Sequence, residues 1–421
     1  MPNDEKKEIF KELDKFVYIK TTGDKEQEKR KCLTYVDEHE KNINNKLRAI
    51  SIVSFTALKN TYINELETKW IKLRKDNKIP KGVPIHFTSL RTIMNKINYK
   101  NSLGEEVESL GWNEEYVLKK YKYFKHKATK GYTLDDSDKI KENLLGDRQF
   151  RNFIEQYELW KSFNKTNENG FKILDLYKVN NFFKDLLDIL NSTKMNILCT
   201  SFIYDKNANH KKEHVINKNN YKTPYQIALM EHLNLLCFYL RHGYMTKADI
   251  KKDLLYHKHF TTKLRCDGDD GFSSRKIYRT TFNESITSGT KQFSGDAVRD
   301  TIDEIRFINK SEIGYYSEDN EKFNIISHIG CDIADFISYY VSMYNIKSLL
   351  IKEYTNEGLT TGLTNVEAKK EAEEKFINEV AFSINEDTYM PYEQVLKHKI
   401  INMNGYKTTQ LISDCNFLNF E

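Results

Sequence analysis

The chain has 421 residues, 39% hydrophobic and 13% aromatic, which is enough to bury a large core and excludes wholesale disorder. Its 66 basic residues nearly balance 61 acidic ones, so net charge alone does not mark a nucleic-acid binder. No apolar run approaches the roughly 18 residues of a membrane span and Met1–Glu8 is too polar for a secretory signal, so a cytoplasmic chain with no membrane partner is expected.

In chain order, residues 1–15 read as a short amphipathic helix and 16–19 as a strand or helix end. Cys32–Val36 has strand character and runs into Asp37-Glu38. Leu47–Phe55 is β-branched and alternating, and the short polar connection predicts an antiparallel hairpin. Residues 58–75 carry Leu58, Tyr62, Leu66 and Trp70 at helical spacing, and 88–98 read as helical again. Residues 100–168 are more polar and resemble an insertion. Within them, 116–130 interleaves six Lys with Tyr116, Tyr121, Tyr123 and Phe124. Residues 171–191 predict an amphipathic helix, 195–204 a strand ending at Asp205, and 206–222 a basic loop. Pro224 opens a helix through Leu240. Residues 245–300 are polar and carry no assigned element. Ile302–Asn309 predicts a short strand, 323–344 the most apolar helix, and 365–382 a charged helix. The expected organisation is an extension over 1–31, a core over 32–345 with insertions near 100–168 and 245–300, and a helical extension over 346–421.

Acidic residues at element ends are the candidates for chemistry. Asp37-Glu38 either holds a divalent cation, which takes carboxylate oxygens, or begins a turn. Asp205 stands before the same choice. His328, Asp332 and Asp335, at i, i+4 and i+7, fall on one face of a helix amid apolar residues, where carboxylates are costly unless paired or metal-bound. His86, after Pro84-Ile85, is either a proton-transfer or phosphate-contacting group or a structural histidine. Asp267–Gly271 is similar to a calcium loop but sets its glycine one position early, so it reads as a turn cluster. No C-x-x-C pair, P-loop, dinucleotide fingerprint or G-x-S-x-G elbow occurs; the six cysteines read as reduced, buried thiols.

The order of these pieces resembles an uncharacterised RNase H-like family. Its members open with a strand ending D-E-S/T-G, carry an I-H motif after the first helix, and close with a helix reading Q-x-A-D. The matching residues are Tyr35-Val36-Asp37-Glu38, Ile85-His86 and Asp332-Ile333-Ala334-Asp335. His39-Glu40 departs from the S/T-G, and Asp332 stands where the family has Gln. The resemblance implies an α/β fold, an RNase H-like mixed sheet flanked by helices. It also implies a carboxylate cluster binding Mg²⁺ or Mn²⁺ for phosphodiester hydrolysis, in phage defence or a mobile element, with a partner protein. On that reading Asp37, Asp205 and Asp335 are metal ligands, and Glu38 and Asp332 are auxiliary. His86 or His328 assists proton transfer. Lys119, Lys120, Lys122, Tyr123 and Lys125 contact DNA or RNA; their alternative is a solvated lysine face. The competing reading is an inactive RNase H-fold module that binds nucleic acid or a partner protein in a defence complex. Converging carboxylates at Asp37, Asp205 and Asp335 would favour the nuclease.

Overall fold

A computed structural model describes residues 30–101, 103–130, 136–205, 223–243, 260–268, 272–309, 313–316, 327–379 and 416–417. The N-terminal helix and strand expected over 1–19 and the basic loop at 206–222 lie outside the described residues. In chain order, strands β1 (Arg30–Asn42) and β2 (Leu47–Leu58) form the first hairpin. The turn Lys59–Thr61 and the π-helix Tyr62–Glu67 then run into α1 (Thr68–Asp76), followed by α2 (Phe87–Met94). A hairpin of Lys96–Lys100 and Glu106–Leu110 leads to α3 (Glu114–Thr129), α4 (Ser137–Gly146) and α5 (Arg148–Phe163). A second hairpin pairs Asn164–Thr166 with Lys172–Leu174 before α6 (Leu176–Ser192). Then come β3 (Asn196–Asp205), α7 (Pro224–Phe238), β4 (Phe260–Asp267), α8 (Phe272–Ser288), α9 (Gly295–Thr301) and β5 (Ile302–Ile308). The chain continues through α10 (Gly330–Thr360) and α11 (Asn365–Glu379), and β6 is the pair Asn416–Phe417.

The main sheet is mixed, in the order β6-β3-β2-β1-β4-β5. β1 is antiparallel to β2, and β2 to β3, whereas β4 is parallel to β1 and β5 to β4. The expected hairpin is present, with Asp37 opposite Val53. The segment 245–300, expected as an insertion, instead supplies β4, an interior strand of the sheet. Its sequence, FTTKLRCD, buries Phe260, Thr262, Leu264 and Cys266 and interleaves them with Thr, Lys and Arg, so its polarity hid its pleat.

Two compact units partition the chain. The first holds the sheet, α7–α9, α10 from Ile333 and α11; the second holds Leu66–Ser192 and Ser311–Asp332. The second unit is therefore wider than the insertion expected at 100–168. In the first unit, one sheet face packs Val36, Ile50, Ile52, Leu198 and Leu264 with Leu229, Leu233, Leu236, Tyr278 and Phe282 of α7 and α8. α7 is started by a capping box between Thr223 and Gln226 with Pro224 in its first turn. Beyond residue 345 the chain forms no separate extension, because α10 runs on unbroken. Ile346, Leu350 and Tyr354 join Ile43, Ala49, Ala372 and Phe376 in one cluster. No helix among the described residues is long and apolar enough to cross a membrane.

Several polar groups buried in the sheet pair with one another. Thr34 of β1 bonds Thr56 at 2.8 Å and Thr262 at 2.7 Å, tying three strands together. His232 of α7 lies 3.0 Å from Thr200 and 2.8 Å from Ser54; burial lowers its pKa to about 3, so it is a neutral clamp on the sheet. The five described cysteines are free and buried, as expected.

In the second unit, Arg74 and Asp332 form a fully buried pair at 3.3 Å. Arg74 also donates to the carbonyls of Pro80 and Val83 at 2.8 and 2.7 Å, and Asp332 accepts the Ile85 amide at 3.0 Å. Arg74→Ala would leave Asp332 charged and buried without its cation, at a cost of about 3–5 kcal/mol. Urea denaturation of the full chain checks this; a loss below about 1 kcal/mol is the range of an exposed pair and would contradict the burial.

Candidate active site

The pleat of β1 sends successive side chains to opposite faces of the sheet. Asp37 projects to the face covered by α10, and Glu38 to the face covered by α7 and α8. The Ser338 hydroxyl of α10 donates to Asp37 Oδ2 at 2.6 Å and lies 3.0 Å from the Asp335 carbonyl oxygen. Asp335 stands three residues before Ser338, on the same helical face. β4 runs parallel to β1 with Val36 opposite Cys266, so Asp267 follows that pair at the level of Asp37. Neighbouring strands lie about 4.8 Å apart. Three carboxylates from β1, β4 and α10 therefore meet at one level of the sheet.

Their electrostatics agree with that geometry. Burial pushes Asp37 well above the usual carboxylate range; Asp335, Glu38 and Asp267 push it further, against the Ser338 hydrogen bond. Like charges gathered in a poorly solvated site hold a proton until a cation replaces it. A protonated Asp37 also resolves the local hydrogen bonding. Ser338 has one proton for two oxygens; a protonated Asp37 can donate to Ser338, freeing the serine proton for the Asp335 carbonyl.

Glu38 occupies a different environment. Tyr278 donates to its Oε2 at 3.1 Å, and the Tyr225 ring meets Tyr278 edge-on at 5.7 Å between centroids. Burial raises Glu38 from 4.5 to about 6, against the pull of the Tyr278 hydroxyl. The expected auxiliary ligand thus sits across the sheet from Asp37, in a tyrosine-lined niche.

The remaining expected residues separate. Asp332 is no ligand, because Arg74 and the Ile85 amide take both its oxygens. Asp205 ends β3 opposite Leu47, whereas the level of Asp37 runs through Val53 to Cys199. That places Asp205 about 20 Å along the strand from the cluster, at about 3.3 Å per residue. His328 precedes the first turn of α10, and its carbonyl accepts the Cys331 amide at 3.0 Å, so it is not on the helical face with Asp332 and Asp335. His86 precedes α2, and its carbonyl accepts from Ser89 and Leu90 at 3.1 Å each. Both histidines belong to the second unit, while the three carboxylates belong to the first. Lys119, Lys120, Lys122, Tyr123 and Lys125 all lie exposed on α3, in the second unit.

Two further residues belong with the carboxylates. Asp267 was hidden in an apparent turn cluster; its signal was the alternation of the strand before it. His39 shares the face of Asp37, stacks edge-on against Tyr339 at 5.4 Å, and is lowered by burial to about 4, a neutral imidazole at pH 7.

Among the described residues, no group of three or more His, Cys, Asp and Glu side chains is spaced to hold a metal ion. The donor chemistry is nevertheless all carboxylate oxygen, and Mg²⁺ commonly uses one or two carboxylates with waters and phosphate oxygens in place of a closed protein cage. Asp37, Asp267 and Asp335 fit such an open site. No family model, curated protein or solved structure matches the chain.

Glu38 gives the site a pH signature. Its folded pKa lies above its unfolded value, so the stability it contributes is full below about pH 4.5 and lost as pH rises through about 6. Glu38→Gln removes that titration. The variant is expected to match wild type near pH 4 and to exceed it by about 1–2 kcal/mol near pH 8. Thermal unfolding at the two pH values measures the difference; an equal offset at both would contradict it.

Proposed function

We propose that the chain is a divalent-cation-dependent nuclease of RNase H-like fold, a hydrolase of phosphodiester bonds. The observation that carries this reading is the meeting of Asp37, Asp267 and Asp335 at one level of the mixed sheet. The strand order β3-β2-β1-β4-β5, with only β2 antiparallel to its neighbours, supports the fold resemblance carried by the sequence motifs. The setting in phage defence or a mobile element, with a partner protein, rests on that resemblance alone.

Asp37, Asp267 and Asp335 would hold Mg²⁺ or Mn²⁺. Such an ion supplies Lewis-acid polarisation of a phosphoryl oxygen and neutralises developing charge. The chain's own residues supply the rest. Ser338 fixes the rotamer of Asp37. The rigid strand ends keep Asp37 and Asp267 in register, and α10 presents Asp335 from above the sheet. The neutral His39 imidazole offers a proton acceptor on the same face.

The exposed face of α3 supports nucleic acid as the partner. Lys119, Lys120, Lys122 and Lys125 are exposed beside Tyr121 and Tyr123, which are 43% and 58% accessible. Cations for phosphates and rings for bases on one short helix suit a single-stranded backbone.

A second reading, an inactive module that binds nucleic acid, is favoured by one observation: no closed metal-spaced group exists among the described residues.

Incubation of the full chain with labelled DNA and RNA in Mg²⁺, Mn²⁺ or EDTA separates the two readings. The nuclease reading expects cleavage that EDTA abolishes. Asp335→Ala and Asp267→Asn should each abolish it with the fold intact, since removing one of several like charges relieves repulsion. Asp205→Ala should retain wild-type rates. Wild-type turnover by Asp267→Asn, or loss of turnover on Asp205→Ala, would reject the assigned cluster. Binding without cleavage under all conditions would favour the inactive module.

Replacing Lys119, Lys120, Lys122 and Lys125 with Glu should weaken binding to all sequences alike, because phosphate contacts carry affinity without specificity. The slope of log affinity against log salt should fall by about 0.7–0.9 for each phosphate no longer neutralised. Unchanged midpoint and slope would identify α3 as an ordinary solvated face.

A further inference from the structure

β4 ends at Asp267, and the next residue, Gly268, is held tightly. Its amide donates to the Ile308 carbonyl at 2.6 Å, at the end of β5. A Cβ on Gly268 would collide with that carbonyl and would stand 2.8 Å from Arg275 Nη2. The bare backbone after Asp267 is thus where the Arg275 guanidinium lies. Arg275 is in the first turn of α8, one turn ahead of Tyr278, the partner of Glu38.

Other arginines of the first unit have settled partners. Arg48 pairs with Glu40, Arg265 with Glu304 and Arg299 with Asp296, and Arg279 lies over the Phe307 ring at 5.4 Å. Arg275 differs. Its Nη2 reaches Asn309 Oδ1 only at 3.5 Å, and its Nε is buried with no hydrogen-bond partner. A buried N–H without an acceptor is costly, and a guanidinium presents a planar fork that matches two phosphate oxygens. The fork lies at the carboxyl ends of the parallel strands β4 and β5, where open α/β sheets place their ligands.

We propose that Arg275 contacts a backbone phosphate of the nucleic-acid substrate beside the Asp37–Asp267–Asp335 cluster, as a phosphate-binding residue of that site. The proposal rests on the nuclease reading and adds to it the cation that meets the substrate anion. The fork anchors the phosphate, and Gly268 keeps the approach open.

The test uses the full chain and a labelled single-stranded oligonucleotide with two readouts: cleavage in Mn²⁺, and binding by fluorescence anisotropy in EDTA. Arg275→Ala is expected to weaken binding and lower kcat/KM by about tenfold or more, the scale of a charged hydrogen bond. Arg275→Lys should recover part of both, because it keeps the charge and loses the fork. Wild-type binding and kcat/KM in Arg275→Ala would overturn the proposal. Should the Ala variant unfold, Arg275→Gln keeps the stem without the charge; weakened binding there supports the proposal, and wild-type binding overturns it. Should wild type cleave nothing, the nuclease reading falls and the anisotropy arm decides for Arg275: weaker binding in the variant sustains the phosphate contact, and equal binding removes it.

Discussion

The pleat of β1 is the constraint on which the site depends. β1 is hydrogen-bonded on both edges, antiparallel to β2 and parallel to β4, so its register is fixed from two sides. A slip of one residue would exchange every side chain between the two faces. The present register puts Asp37 under α10 and Glu38 among the tyrosines of α7 and α8. The Thr34 contacts to Thr56 and Thr262 reinforce it, since hydroxyl pairs form only when the strands are aligned. Two adjacent acids therefore acquire unrelated roles from a single strand.

The same contrast recurs on α10. Asp332 and Asp335 are three residues apart on one helix, yet their surroundings separate them. Asp332 meets a guanidinium and a backbone amide, which satisfy its charge and both oxygens. Asp335 instead adds to the negative field around Asp37. A buried carboxylate with a cation is an anchor; carboxylates that face one another favour a proton or a cation between them. The Arg74–Asp332 anchor also gathers the Pro80 and Val83 carbonyls, so a loop poor in regular hydrogen bonds is held by one side chain.

The carboxyl edge of the parallel strands concentrates the remaining chemistry. Asp267 ends β4 there, and Gly268 packs against the end of β5 too closely for any Cβ. Arg275 fills the space above. Negative groups on one side and a cation with an unused donor on the other make a polarised edge, an arrangement suited to a substrate that carries both phosphate and a reacting bond.

Periodicity and β-branching in the sequence determined β1, β2, β3 and β5, the α6, α7 and α11 helices, and the acidic character of Asp37 and Asp335. These signals are local: alternation sets a strand and 3.6-residue spacing sets a helix. Strand order and pairing register are not local. Asp205 and Asp267 read alike as acids at strand ends, and only the pairing of β4 with β1, and of β3 with β2, brings one to Asp37 and carries the other far along the sheet. β4 itself was masked by Thr, Lys and Arg at its outward positions. Asp332 looked like a ligand because nothing in the sequence links it to Arg74, 258 positions away. The sequence by itself determined which side chains could do chemistry; the tertiary structure decided which of them meet, because long-range strand pairing and buried partners are set by the packing of the whole chain.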